Sequence, residues 1–404
     1  MTGASSNERV SGEQVSGQQV SGQQVSNGEY ASAPKRVLMV SQPTVAGVAQ
    51  CVVDWSAGIR EYGWEPVVAC PSDGELAGWC EALAIPVRPW ESVRSPTSGV
   101  AGELSALRRI IADVDPDVVM LHSSKAGLVG RLALRGARPT VFVPHAWSFD
   151  AVTGPMAIAS RSWERLAAHR TDLVVCVSAA EYRTGVAAKI RTRYQVVRNG
   201  VDVAALRDLA DGSNILRDTL GLTSEDTLVV CLGRLSTQKG QDVLLRAWPS
   251  VQVPGAQAVL VGDGPEEEAL RELAAGDATV RFAGGVPRAE AVRFLAAADV
   301  VVVPSRWEGM ALVPLEAMAV GAPVIASDVT GVREAVDATV GAVVPPDDPE
   351  ALARAITRQL RLSGEDQHRM RMAAAQRVAD RFSLQRTVQQ VAAALDDSRE
   401  RRRV

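Results

Sequence analysis

The chain has 404 residues, 47% of them apolar and 22% charged, which is enough for two soluble domains, each with its own core. A net charge of −4 and an aromatic content of 4% give no drive toward nucleic acid and no supply of rings for base stacking. Cys51, Cys70, Cys80, Cys176 and Cys231 show no C-x-x-C spacing and form no cluster with the four histidines. That pattern argues against a zinc site and predicts buried free thiols in a reducing cytoplasm.

No basic-then-apolar segment opens the chain, so no signal peptide is expected. Apolar runs such as Val300 to Val303 are strand-length, far short of a membrane span, so any membrane contact is expected to be peripheral. Residues 1–33 carry a pentapeptide repeat: Val10-Ser-Gly-Glu-Gln14, Val15 to Gln19, Val20 to Gln24 and a decayed copy from Val25. One valine in five cannot build a core, so a disordered N-terminal tail is predicted.

From Arg36 the pattern changes. Arg36 to Ser41 reads as a strand, Val48 to Tyr62 as an amphipathic helix, and Pro66 to Cys70 as a second strand. Strand, helix and strand in succession form a βαβ unit, which implies a parallel sheet. The alternation continues through strands at 118–121, 140–143 and 173–177, with helices near 102–113, 127–135 and 157–169 between them. After a junction near 199–213 it starts again, with strands at 228–232, 258–261, 280–283, 300–303 and 323–326. Helices near 240–248, 266–274, 288–297 and 313–320 separate these. The fold class is α/β: two Rossmann-like doubly wound domains, with ligands expected at the carboxyl ends of the strands in an interdomain cleft.

The boundaries follow the pattern: a first domain over 34–199, a linker over 200–213 and a second domain over 214–380. A C-terminal helix over 381–397 is expected to pack back on the first domain, and a basic tail occupies 398–404. That tail, Arg399 to Arg403, is either a solvated end or a contact for an anionic membrane.

In the first half, His122-Ser-Ser-Lys125-Ala-Gly127 and Pro144-His145-Ala-Trp-Ser-Phe149 follow strands and sit where cleft residues belong. His122 is read either as wall packing or as an acceptor-side contact. Lys125 either binds an acceptor phosphate or caps its helix. Gly47 lies in the first strand-to-helix loop.

In the second half, Gly233-Arg234-Leu-Ser-Thr-Gln-Lys239-Gly240 follows a strand. Two cations in such a turn suit a diphosphate, although isolated surface cations are common. Gly262-Asp263-Gly264-Pro265 permits a tight turn, and Gly284-Gly285-Val286 exposes backbone that could read a nucleobase edge. The run Pro304-Ser-Arg-Trp-Glu308-Gly309-Met310-Ala311-Leu312-Val-Pro-Leu-Glu316 carries most weight. Gly309 to Leu312 would offer backbone N–H groups to phosphate oxygens at a helix N-terminus. Each glutamate suits a vicinal diol, and a carboxylate at Glu316 among apolar neighbours calls for a partner.

G-R-L-x-x-x-K-G, V-G-D-G-P and E-G-M-A-L-V-P-L-E, in this order, resemble glycosyltransferase family four, retaining enzymes of the GT-B fold. The resemblance covers about residues 36–395. It implies a nucleotide-sugar donor whose pyrophosphate meets Arg234 and Lys239, whose sugar hydroxyls meet Glu308 and whose ribose meets Glu316. It implies that His145 contacts the donor sugar at the reacting bond. It also implies sugar transfer with retention to a hydroxyl acceptor, with no metal or other cofactor. Relatives usually carry Gly-Gly in the first loop, where this chain has Ala46-Gly47, and Gly-Phe-Gly after the first glutamate, where it has Gly309-Met310-Ala311. Asn199-Gly200-Val201-Asp202 matches the N-G-V-D at the family's domain junction, as a hinge or a ligand contact.

The H-S-S-K-A-G and P-H-A-W-S-F segments resemble enzymes of surface polysaccharide and glycolipid assembly, which implies a lipid-linked acceptor and work at the inner membrane face. Tailoring of a soluble secondary metabolite is the alternative acceptor chemistry. A GT-B epimerase and a non-catalytic sugar-binding protein are the alternative classes. A nicotinamide oxidoreductase is excluded, since Thr44-Val-Ala-Gly-Val-Ala49 is not G-x-G-x-x-G and no acid ends the second strand.

Overall fold

The computed structural model describes residues 34–93 and 99–401; the pentapeptide repeat and the tail residues 402–404 lie outside the described residues. Strands β1 (Lys35–Ser41), β2 (Trp64–Cys70), β3 (Val87–Pro89), β4 (Val118–His122), β5 (Thr140–Val143), β6 (Leu173–Cys176) and β7 (Tyr194–Val196) form one sheet, in the order β3-β2-β1-β4-β5-β6-β7. Strands β8 (Thr227–Leu232), β9 (Ala256–Val261), β10 (Val280–Gly284), β11 (Val300–Val303), β12 (Val324–Ser327) and β13 (Gly341–Val344) form the other, in the order β10-β9-β8-β11-β12-β13. All pairings are parallel.

The apolar runs explain the layering. In β1, Val37 and Met39 face one apolar cluster while Leu38 and Val40 face another, so helices must cover both sides of the sheet. Both sheets start at an inner strand, build outward on one side, then cross to the other. The crossover leaves a crevice between β1 and β4 and an equivalent one between β8 and β11. Ligands of open α/β sheets bind in such crevices. The chain places four of its motif-bearing loops there: those after β1, β4, β8 and β11.

One apolar cluster runs through both halves, joining Val37, Trp55 and Val143 to Leu315, Met318 and Val388. The helix Leu384–Glu400 packs on β4, β5, β6 and the helix Ala46–Gly58 of the first half. It sits close enough that a Cβ at Gly58 would fall 2.6 Å from Val388 Cγ2. The chain crosses between the halves twice at one place, where Val201 N–H donates to Phe382 O (2.9 Å) and Leu384 N–H to Val201 O (3.0 Å).

Two boundaries differ from the sequence reading. The segment 200–213 is not an open linker: it carries the helix Val203–Leu209, capped by Asp202 and packed against helices Arg288–Ala297 and Leu312–Ala319. The buried side chain of Leu206 holds it there. The tail expected from residue 398 begins later, because the helix continues to Glu400, with Ser398 buried and Arg399 paired to Asp117 at 2.9 Å. All five cysteines are free and buried. Among the described residues no helix is long and apolar enough to cross a membrane.

Candidate functional site

The loops after β8 and β11 are locked together. Gly240, at φ 67°, lets them meet: a Cβ there would lie 2.1 Å from Pro304 O. Arg306 then clamps the pair. Its guanidinium holds both oxygens of Asp242 (2.8 and 2.9 Å), Thr237 O (2.8 Å) and Asp347 Oδ1 (2.7 Å). Burial works against ionised Asp242, yet Arg306 outweighs it and holds that carboxyl below its usual range. Gln238 adds a bond from its Nε2 to Trp307 O at 3.0 Å.

The clamp sets Lys239 Nζ 2.5 Å from Glu308 Oε1, which also accepts from Ser305 Oγ at 2.8 Å. Glu308 is buried, whereas Arg234 is exposed on the same rim, with no carboxylate at ion-pair distance among the described residues. Lys239, Gln241, Pro304, Ser305 and Ala311 line a small recess. A larger concavity of about 780 Å³ lies at the amino ends of β1 and β2, around Arg36, Glu65 and Arg88, away from all the motif loops.

Glu316 has the partner that its apolar surroundings call for. Arg288, opening the helix after β10, puts Nη2 2.9 Å from Glu316 Oε1. Sequence reading missed Arg288, although it follows the Gly284-Gly285-Val286-Pro287 turn at a strand end, where the other motif residues also sit. Asp54, a lone acid in the apolar helix Ala46–Gly58, was missed as well. Burial pushes its carboxyl up to about 6, with Glu316 adding to the rise and Gln50 and Arg288 opposing it. A raised folded value means that Asp54 contributes stability fully below its unfolded value near 4, and that this is lost as pH rises through 6. Asp54→Asn keeps the bond from Gln50 (2.7 Å) and removes the titration. Its melting temperature should exceed the parent's at pH 8 and match it at pH 4; parallel pH profiles in thermal melts would contradict this.

On the first-half wall, His122 Nδ1 and His145 Nε2 are 3.0 Å apart, and both rings lean on Trp55. Burial drives the pKa of both down, His145 to about 3 and His122 well below the ordinary value, so both are neutral. His122 Nε2 is buried without a partner. A lone pair there costs less than an unmet N–H, so Nδ1–H of His122 donates and His145 carries its remaining proton on Nδ1.

The loop beyond is strained: His145 has φ 55° and Ala146 φ 127°, neither being glycine. Such residues cost on the order of 1–3 kcal/mol each and persist only where surroundings over-determine them. Two contacts do so here. Glu181 Oε1 accepts Ala146 N–H at 2.8 Å while its Oε2 accepts Val177 N–H at 2.7 Å. From the second half Gly309 presses on the same peptide, where an added Cβ would come 2.7 Å from His145 C.

Other residues join the halves around this point. Gly47 faces Leu312, whose side chain would lie 3.8 Å from an added Cβ. Asn199 Nδ2 donates to Met310 O at 2.7 Å, so the N-G-V-D asparagine is a tie between the donor-side loop and the junction. Ala46, at φ 61°, holds a left-handed conformation that favours glycine. Lys125 is a correction. It is buried and paired with buried Glu103 at 2.8 Å beneath the loop at Val93, so it does not stand in the cleft as an available cation. The topology thus brings His122, His145, Gly47, Lys239, Glu308 to Leu312 and Glu316 to one seam, leaves Arg234 on its rim, and sets Lys125 aside.

Comparison with known proteins bears on the family and the fold. Residues 45–205 match the family model described as Glycosyltransferase Family 4, and residues 213–377 that of Glycosyl transferases group 1. The chain is 32% identical over 292 residues to the GDP-mannose-dependent alpha-(1-6)-phosphatidylinositol monomannoside mannosyltransferase of Mycolicibacterium smegmatis, covering 65% of this chain and 73% of that one. It is 28% identical to the monoacylated-acceptor counterpart of Corynebacterium glutamicum, over 80% of this chain and 88% of the other. Its fold is similar to that of Anabaena HepE, crystallised with UDP and glucose, at a TM-score of 0.76 and 24% identity over 90% of this chain and all of that one.

Proposed function

The chain belongs to glycosyltransferase family four, the group 1 glycosyltransferases, and we propose that it moves mannose from GDP-mannose, with retention, to a hydroxyl of a lipid-linked inositol-type acceptor. The observation that carries the reading is the locked pair of loops presenting Lys239, Glu308 and exposed Arg234 beside the start of the helix Leu312–Ala319. Two cations and the free backbone N–H groups of a helix N-terminus match a diphosphate leaving group. The donor and acceptor classes rest on the mannosyltransferases of M. smegmatis and C. glutamicum, whose names give both.

In this reading Lys239 exchanges Glu308 for the donor diphosphate, and Glu308, so released, takes hydroxyls of the sugar. Glu316, oriented by Arg288, holds the ribose diol. His145 offers its Nδ1–H to the sugar. A leaving phosphate oxygen takes the acceptor proton as the new C–O bond forms on the face where the old one breaks. No metal is needed to neutralise the diphosphate.

The full chain, incubated with GDP-mannose and a phosphatidylinositol mannoside in excess EDTA, should yield GDP and a mannosylated lipid. Mass spectrometry of the lipid and proton NMR of the new anomeric centre read the result. A β-linkage, or strict dependence on added divalent metal, would overturn the mechanism; transfer only from another nucleotide sugar would overturn the donor.

A further inference from the structure

The helix Gly154–Ala168 starts a few residues beyond His145 and carries its large apolar side chains on the wrong side for a free surface helix. Ile158 is 67% exposed, Leu166 64% and Met156 54%. Ile158 and Leu166 are eight residues apart and lie on one outward ridge. The opposite face is already spent: Ala167 and Ala168 are buried, and buried Glu164 pairs with Arg131 through two bonds of 2.8 and 3.0 Å.

That ion pair has a second effect. Glu164 is the helix's only acid, so turning it inward leaves the helix's own outward charges as exposed Arg165 and exposed Arg161, the latter lying over the Phe149 ring beside Asp150. Arg165 also donates from Nε to Ala188 O at 2.7 Å, which fixes the helix against the next one. An apolar ridge edged by cations matches the interface of an anionic bilayer: apolar side chains enter the acyl boundary and arginines meet the headgroups. A second copy of the chain fits less well, because a two-fold contact through this ridge would set arginines against arginines.

We propose that the outward face of the helix Gly154–Ala168, centred on Ile158 and Leu166, docks the protein on an anionic lipid surface and so brings the His145 side of the seam to a membrane-held acceptor. This rests on the lipid-acceptor reading for its purpose but not for its test. The full chain should co-sediment with vesicles of phosphatidylcholine plus phosphatidylglycerol, and much less with phosphatidylcholine alone. Ile158→Glu with Leu166→Glu should lower the bound fraction about tenfold. Arg161→Gln with Arg165→Gln should weaken binding and flatten its salt dependence.

All four positions are exposed, and the Arg131–Glu164 pair still holds the helix when the Arg165 bond to Ala188 O is lost, so circular dichroism should be unchanged. The Ile158→Glu/Leu166→Glu variant should still transfer to a short-chain, water-soluble acceptor. Unchanged sedimentation in both variants would overturn the surface, and so would a concentration-dependent dimer that the Ile158→Glu/Leu166→Glu variant abolishes. Vesicle binding without transfer to any lipid acceptor would count against the acceptor reading and leave the docking surface standing.

Discussion

Lys239→Ala should lower kcat/KM by about 10²- to 10³-fold with the fold intact, the scale seen when one preorganised group facing transition-state charge is removed. The Lys239–Glu308 contact makes the loss more than one missing contact. Lys239 sits 2.5 Å from buried Glu308, so its removal leaves a carboxylate pointing into the space a diphosphate would fill. Attraction is replaced by repulsion. Two explanations of such a loss can be separated. If Lys239 only neutralises Glu308, adding Glu308→Gln should restore nucleotide binding. If it binds the diphosphate, the double variant should recover melting temperature but still bind GDP about tenfold or more weakly than the parent. GDP is the right probe because it lacks the sugar that Glu308 is proposed to hold. Calorimetric titration of parent, single and double variants with GDP decides between them, and binding within threefold of the parent in Lys239→Ala would end the diphosphate assignment.

Much of this was open to sequence reasoning because strand ends announce themselves. Val300 to Val303 is apolar on both faces, and the polar run after it has to be a loop at the carboxyl end of a buried strand. The sequence also put the motif loops at the carboxyl ends of the strands, since consecutive βαβ units imply a parallel sheet; which of them share a crevice came from the strand order. What stayed hidden depends on partners supplied by other elements. Lys125 reads as an available cation until the helix Val100–Val114 puts Glu103 over it. Glu316 demanded a partner, but nothing local to it indicates that Arg288 reaches it from another helix.

Some elements were missed because periodicity fades, although the helix Pro349–Leu360, with Leu352, Ile356 and Leu360 at i, i+4 and i+8, was legible and was not read. The helix Gly364–Arg381 buries only Ala374 and Val378 and so shows no apolar stripe, and β13 is four residues opened by a glycine. The enrichment of histidine at positive φ is too slight to single out His145, and the strain at Ala146 is invisible in any propensity, because alanine does not favour that region. It exists where the two halves meet, and that is a property of the assembled fold.

That meeting point gives the other large effect. Gly309→Ala should cost about 10²-fold or more in kcat while leaving the melting temperature within a few degrees. An added Cβ would lie 2.7 Å from His145 C and 2.9 Å from both Ala146 N and His145 O. Backbone offers no rotamer to yield, and the other side is closed too, since Gly331 packs against Gly309 O closely enough that its own Cβ would come within 2.3 Å. Glu334, following Gly331, adds to the constraint by accepting Ala180 N–H (3.0 Å) and pairing with Arg198 (2.7 Å). Relief therefore requires the His145 peptide or the Glu308 loop to retreat, and a displacement near 1 Å between reacting groups is enough for about a hundredfold loss.

The apolar clusters confined to one half, around Leu38 and Phe142 and around Val229 and Leu260, are untouched by that shift, which is why stability should hardly change. Gly102→Ala is the matched control. Gly102 lies in an exposed helix with open space around it, and the same added methyl there should leave activity alone and raise stability by about 0.5–1 kcal/mol. Steady-state kinetics and thermal melts on the two variants test the point together. Full activity in Gly309→Ala would mean that the His145 wall and the Glu308 loop need not touch for transfer. A collapse in its melting temperature would mean that the seam is a core rather than a site.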